Sequence, residues 1–453
     1  MNKVYKIVWN AAQQAWVVVS ELAKGHAKAA KAQSVDVVEV PAKKGLFALT
    51  ERTAGAMMLG GAVMTTAMMA SQPADAATVI ACGSGAVAST SSGIAIGDNA
   101  HADGSYSTAI GYCATARDSG AFALGCYSVS DASDSFAIGR NARVNACATE
   151  AIAIGYAAQV WNTSYYATAI GRSATVHNNS CYSSAIGYGS QVYNNTCAST
   201  AVGYSAQVYS NANYSTSLGA SARVYNESCY SVAVGAGYVG CNSCYSVSVG
   251  SGSVQTGSNY SVTVGGGTVT GCYSTAVGSG ASVYGNYSTA AGQGATARGN
   301  YSAAVGSGAW TDSSSCYSVA IGSNAYSYNN YTTAVGYGGH AYGNYTTAIG
   351  NGQSNGDYTL ALGGNANGNR TTAINGATAN GCYTTAIGQA SQASGNYTFA
   401  AGTQAYAGTA TDRRFGTAVG HYVNAQGNSS IALGTYATAF SDNALALGNG
   451  VNV

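Results

Sequence analysis

CYSTAVGSGASVYG, residues 272–285, is followed without a gap by NYSTAAGQGATARG, residues 286–299. The two stretches follow one 14-residue pattern. A polar pair leads into a Ser/Thr-Thr/Ser-Ala-aliphatic run that stops at a glycine. A second run of small residues and a glycine-bearing turn complete the unit. Working outward, the glycine of the Ala-(Ile/Val/Leu)-Gly triplet recurs at Gly97, Gly111, Gly125 and Gly139, 14 residues apart, then every 16 residues from Gly155 to Gly235. The series runs on to Gly448, with Asn375 standing where one glycine is due; 351 residues are covered in 24 steps, a mean near 14.6. Self-similarity at a fixed short period indicates a solenoid rather than a set of globular domains.

Each unit supplies two candidate strands of about four residues. In the first, the aliphatic residue before the glycine and the Val, Thr, Ile or Phe two places earlier share one face, while the Ala between them points the other way. The second begins two or three residues after the glycine, as in Ala281-Ser282-Val283 or Ser173-Ala174-Thr175-Val176. Strands this short cannot stand alone, but stacked on the next unit each gains a ladder on both sides. The expectation is an all-β parallel β-roll of about 25 rungs, a rod on the order of 120 Å long at ~4.8 Å per rung. The Ala position admits only Ala, Ser or Thr (Ser217, Ser248, Thr263). That restricted face is expected to pack against partner chains, which favours an oligomer.

Composition sets the boundaries. All seven lysines lie at or before Lys44, all six methionines at or before Met69, and both prolines, Pro41 and Pro73, are early. Residues 1–76 carry eight basic against five acidic side chains; from Ala77 onward nine arginines meet eleven acids. A near-neutral, lysine-free body offers no electrostatic footprint for nucleic acid. Residues 1–25 (MNKVYKIVWNAAQQAWVVVSELAKG) are expected to form an amphipathic helix. Residues 26–77 hold a basic spacer, the apolar run from Ala54 to Ala70 and the small-x-small triplet Ala74-Asp75-Ala76. Basic flank, apolar run and cleavage pattern make a secretory signal, cut between Ala76 and Ala77. The remaining residues, 78–453, are the repeat array.

The opening MNKVYKIVWN…WVVVSELAKG resembles the extended signal peptide region of Gram-negative autotransporters, and the Ala-Ile-Gly repeats resemble the head repeats of trimeric autotransporter adhesins. The resemblance implies passage through the periplasmic export machinery and a type V route. It also implies a left-handed roll, three chains packed side by side as a homotrimer, and adhesion to host extracellular-matrix proteins, cell-surface glycans or sibling cells. Family members continue into a heptad stalk and a C-terminal membrane-anchor barrel. Neither pattern precedes Val453, so the chain reads as a head without its usual stalk and anchor.

Aligned on the glycine, two columns stand out. Five residues before it Tyr recurs, as at Tyr182, Tyr230, Tyr273, Tyr287, Tyr301, Tyr317, Tyr331 and Tyr345. At rung spacing these rings would stack along one edge, either as a stabilising ladder or as a binding strip for glycans or matrix proteins. One place earlier stands Cys or Asn: Cys181, Cys197, Cys229, Cys244, Cys272, Cys316 and Cys382 alternate with Asn259, Asn286, Asn300, Asn330, Asn344 and Asn396. Adjacent rungs bring such positions within disulfide reach, which makes Cys181–Cys197 and Cys229–Cys244 candidate bridges in an exported protein. Cys241-Asn-Ser-Cys244 has C-x-x-C spacing but lacks the surroundings of a redox or zinc motif. The Asn-Tyr-Ser/Thr triplets match the glycosylation sequon as a by-product of the repeat.

Catalysis has no constellation to rest on. His101, His177, His340 and His421 are scattered, and Asp131 and Asp134 form an isolated acidic pair in a turn-rich segment. No catalytic residue, cofactor or metal site is expected, and a polysaccharide-cleaving β-helix enzyme lacks its acids. An ice-binding or purely structural secreted solenoid is the remaining alternative. Its signal is the recurrent Thr275, Thr289, Thr333, Thr347 and Thr385, interrupted by Val, Phe, Leu and Ile.

Overall fold

Two ladders of very short parallel strands build the repeat region. The computed structural model describes residues 5–10, 15–20, 79–90, 92–409 and 415–453. The chain divides into two units, Met1–Gly60 and Gly61–Val453.

In the first unit Tyr5–Asn10 and Ala15–Ser20 are antiparallel strands, with Trp9 registered on Trp16. The helix expected for this leader is not what these residues form. YKIVWN and AWVVVS concentrate β-branched and aromatic residues, which favour an extended backbone and outweigh the scattered lysines that suggested a helix. The cleavage residues Ala76 and Ala77, and the basic spacer and apolar run before them, lie outside the described residues.

In the second unit each rung contributes an anchor strand, usually of three residues, and each but the last adds a second strand of two. Anchor strands stack in register: Ile152, Ala153 and Ile154 sit on Thr168, Ala169 and Ile170, and those on Ser184, Ala185 and Ile186. The second strands do likewise, Gln159-Val160 on Thr175-Val176 and Thr175-Val176 on Gln191-Val192. Twenty-six anchor strands run from Ile80–Cys82 to Leu445–Asn449, and twenty-five second strands from Val87–Ala88 to Thr438–Ala439. The rung beyond the sequence count is the first, Ile80-Ala81-Cys82-Gly83, in which a cysteine replaces the aliphatic residue of the triplet. Its Gly83 has φ +132°, like the glycines after it.

The interior is thin. The anchor-strand Ala is fully buried in rung after rung (Ala153, Ala169, Ala185, Ala201), and it faces the inward residue of the second strand, Val160, Val176, Val192 or Val208. Among the described residues no completely enclosed side chain is larger than valine. This reverses one expectation: the small-residue face fills the roll itself rather than meeting partner chains. The turns joining the two ladders hold them so close that Ala opposite Val completes the packing. The larger apolar residues flanking each Ala point outward instead, and Ile96, Leu124, Leu218, Ile321 and Ile349 are each exposed by more than a third.

The anchor glycine is required twice over. At Gly203 φ is +131°, and a Cβ there would lie 2.4 Å from the carbonyl oxygen of Gly219 one rung on. Near Gly350 and Gly363 the backbone relaxes to φ +73° and +63°, with ordinary or open space around the missing Cβ. The next anchor position follows at φ +59°, within the left-handed region that asparagine tolerates, so Asn375 is accepted there.

Candidate functional site

The tyrosine column occupies the corner that feeds each anchor strand. Its members sit at positive φ, from Tyr214 at +57° through Tyr273 at +54° to Tyr358 at +57°. A bulky residue there costs on the order of 1–2 kcal/mol. Two things offset that cost. Each Tyr N–H donates to a carbonyl on the preceding rung, as Tyr287 to Cys272 and Tyr301 to Asn286, both at 2.9 Å. The rings also stack: eleven of them, Tyr214 to Tyr358, run without a break at centroid separations of 4.7–5.2 Å and interplanar angles of 1–7°. Aromatic pairs of this kind contribute about 0.5–1.5 kcal/mol each. Where a tyrosine is missing, the Arg370 guanidinium fills the gap, 5.7 Å from the Tyr358 ring centre and 5.0 Å from that of Tyr383. Tyr397 and Phe415 continue the stack beyond.

This geometry decides what the column can offer. Ring faces are spent on one another, so solvent meets ring edges and phenolic hydroxyls, each residue being 46–57% exposed from Tyr214 to Tyr358. Tyr273, Tyr287, Tyr301, Tyr317, Tyr331 and Tyr345, the strip singled out from the sequence, are consecutive members.

Two further columns escaped the sequence reading. The residue after the second strand gives the series Trp161, His177, Tyr193, Tyr209 and Tyr225, with successive centroids 6.4, 4.9, 4.8 and 4.4 Å apart. Burial, reinforced by neighbouring Tyr225 and Tyr193, pushes the Tyr209 hydroxyl up to about 12. Burial holds His177 below the usual imidazole range. The residue after the anchor glycine gives Tyr156, Arg172, Tyr188 and Tyr204, with Arg172 between two rings at 5.4 and 5.6 Å. Both columns were present at fixed offsets from the glycine. Their mixture of Trp, His, Tyr and Arg hid them from a search for one residue type.

The Cys/Asn slot has a single structural purpose met two ways. Where Asn stands, its Oδ1 accepts the backbone N–H of the same slot one rung earlier: Cys272 to Asn286 and Asn286 to Asn300, both 2.8 Å, and Cys197 to Asn213, 2.7 Å. Where Cys stands, its thiol donates to a carbonyl of the rung before, as Cys229 to Asn211 at 3.2 Å and Cys272 to Gly257 at 3.2 Å. All twelve cysteines are free thiols in this structure. Within the Asn-Tyr-Ser triplets the hydroxyl is interior: Ser288 is buried and donates to Gly299 at 2.7 Å.

The acids and histidines do not converge. Asp131 pairs with Arg117 at 2.7 Å and lies 3.9 Å from Arg143, a surface ion pair. Among the described residues no group of three or more His, Cys, Asp or Glu is placed to hold a metal ion. The recurrent threonines do face outward, but Thr275 and Thr289 share their column with Val262, Ala303 and Val319. The result is no uniform threonine plane.

A neutral rod whose exterior columns recur along its length presents edges, and among the described residues no metal cluster is enclosed. Comparison with known proteins adds to this. Residues 1–49 match the extended signal peptide of the type V secretion system. The YadA head domain repeat matches residues 91–114, 102–125, 270–295, 284–309, 317–338, 332–352, 375–405 and 425–450. The chain is 62% identical over 32 residues to the autotransporter adhesin NhhA of Neisseria meningitidis serogroup B, covering 7% of this chain and 5% of that protein. It is 59% identical over 34 residues to the trimeric autotransporter adhesin AtaA of an Acinetobacter species, covering 8% of this chain and 1% of that protein. The chain thus aligns with only a small part of either relative's length. Its leader and its repeats are thus similar to those of trimeric autotransporter adhesins. The matched leader is of the kind that serves export, and both relatives are adhesins.

Proposed function

We propose that residues 78–453 form an adhesin head in which three copies pack side by side as left-handed rolls. The head would attach to host extracellular-matrix proteins or cell-surface glycans and to sibling cells. The observation that carries the reading is the outward apolar column of the anchor ladder. Leu218, Val264, Val277, Val305, Ile321, Ile349 and Ile387 lie on one outer face, each exposed by more than a third. An apolar stripe repeated along the whole rod is a surface for burial against like chains, and a cyclic assembly covers it in every copy at once.

The tyrosine edge supports the adhesive half of the reading. Its hydroxyls repeat about every 4.9 Å, the ring spacing of Tyr287 and Tyr301. Identical weak contacts along it would add through avidity. A glycan would meet this edge through hydroxyl hydrogen bonds, since the ring faces are already covered.

Sedimentation of the full chain tests the assembly: a trimer is expected, converted to monomer by Ile321→Asp with Ile349→Asp. A monomeric wild type at micromolar concentration overturns it. Binding to immobilised matrix proteins tests the strip. Tyr273→Ala, Tyr287→Ala and Tyr301→Ala together should weaken attachment about tenfold or more while the trimer persists. A lowered melting temperature with attachment intact would reduce the column to a stabilising ladder.

A further inference from the structure

We propose that Cys181–Cys197 and Cys229–Cys244 are oxidation sites that close into disulfides between adjacent rungs, tying the rod covalently along its own axis. Both pairs occupy the slot before the tyrosine column. Tyr182 and Tyr230 follow the first member of each pair, and the N–H of Tyr245 donates to the carbonyl of Cys229 at 2.9 Å, placing Cys244 and Cys229 on neighbouring rungs. The N–H of Ala198 donates to Cys181 in the same way, at 2.8 Å, which does the same for Cys197 and Cys181. Residues in one column of successive rungs are about 4.8 Å apart at Cα. That separation lies inside the disulfide range of roughly 4.4–6.8 Å.

Two further observations single out these pairs. The partner thiols lie beside each other: Cys181 is raised by burial first and then by Cys197, and Cys244 by burial first and then by Cys229. Elsewhere the slot never places two cysteines on successive rungs, because Cys272 is followed by Asn286, Cys316 by Asn330 and Cys382 by Asn396. All four thiols are partly exposed, so an oxidant can reach them. The matched leader is of the kind that takes a chain out of the reducing cytoplasm into compartments where disulfides persist.

The step balances with a small disulfide as oxidant. One thiolate attacks it, releases one thiol and forms a mixed disulfide. The partner thiolate on the next rung displaces the second thiol, so two cysteines lose two electrons and two protons in all. A rod held by rung-to-rung hydrogen bonds yields to axial tension one ladder step at a time. A covalent tie makes the 181–197 and 229–244 steps resist it.

The test uses the full chain treated with glutathione disulfide, quenched in acid, unfolded and alkylated with iodoacetamide. Eight of the twelve thiols should alkylate, with peptide mapping placing the four protected ones at Cys181, Cys197, Cys229 and Cys244. Alkylation of all twelve, stable glutathione adducts at these four, or protection at other positions overturns the proposal. Cys197→Ser should expose Cys181 while leaving Cys229 and Cys244 protected; loss of protection at both pairs also overturns it. The oxidised chain should resist unfolding longer than the same chain after reduction, and equal unfolding rates would show that the bridges, if formed, carry no load.

Discussion

Between Val144 and Val262 the rod is built differently from most of its flanks, although the rung from Thr311 to Val319 repeats the same device with Ser315 buried. Here seven residues connect each second strand to the next anchor strand, as between Val160 and Thr168, whereas five suffice between Ala297 and Ala303. The two extra residues add a corner with its own inward column: Ala148, Ser164, Ser180, Thr196, Ala212, Ser228, Ser243 and Ser258, all buried. All eight second strands of this stretch place valine inside, from Val144 to Val254, while rungs with five-residue connectors place either alanine there, as at Ala102, Ala116, Ala297 and Ala379, or valine, as at Val269 and Val283. The longer connector leaves room for valine in every rung of this stretch, and close packing keeps that room filled. The new corner's hydroxyls are satisfied along the ladder: Ser180 donates to Tyr193 at 2.7 Å and accepts from the N–H of Thr196 at 3.3 Å. The stretches that match the YadA head repeat fall on the narrower rungs. A solenoid can therefore change its cross-section while its anchor ladder continues in register, provided the added connector residues bring an inward column that fills the new corner.

The largest effect should come from the feature both regions share. Gly203→Val places a side chain against the next rung's carbonyl, and a loss above about 4 kcal/mol, with proteolysis opening the rod there, is expected. Gly363→Asn, in the relaxed stretch, should leave melting nearly unchanged. Equal damage at the two sites would break the account of Asn375.

Next in size is the exchange of core volumes. Val208→Ala removes two methyls from a wide rung and should cost about 2 kcal/mol. Ala379→Val overfills a narrow one and should cost roughly 1–3 kcal/mol. A stabilised Ala379→Val, read by thermal melting, would mean that the narrow section has spare room. Smaller again is Tyr287→Gly, which loses two ring contacts but relieves the positive φ. A net change within about 1 kcal/mol is expected.

The smallest effect is a pH response confined to the wide region. Burial lowers the His177 pKa, and its ring stacks between Trp161 and Tyr193 as the neutral form. The unfolded chain binds a proton near pH 6.5, above the folded value. The contribution of this residue is thus complete above that pH and is lost as pH falls through the folded pKa. Melting curves of wild type and His177→Tyr should diverge on acidification, and parallel curves would remove His177 from the account.

The period of 14 to 16 residues, the two strands per rung and the tyrosine stack were all legible, because each is a repetition that aligns on a single glycine. What stayed hidden depended on direction. Alternation shows that Ala153 and its neighbours Ile152 and Ile154 face opposite ways. It does not say which side is inside, and the narrow gap between ladders decided that in favour of alanine. The leader misled for the opposite reason: Tyr5–Asn10 has no repeat to average over, and its β-branched run mattered more than lysine spacing. The second and third aromatic columns were missed because stacking tolerates Trp161, His177, Tyr193 and Arg172 interchangeably. A column conserved in shape need not be uniform in residue type.

Because each rung rests only on its neighbours in register, no residue of the array needs to know how many others there are. Removing one complete 14-residue unit would bring Gly292 to the place of Gly278 and leave every remaining contact in kind. The rod is then a ruler whose reach, about 4.8 Å per copy, is adjustable by duplication or loss of a single short stretch of coding sequence.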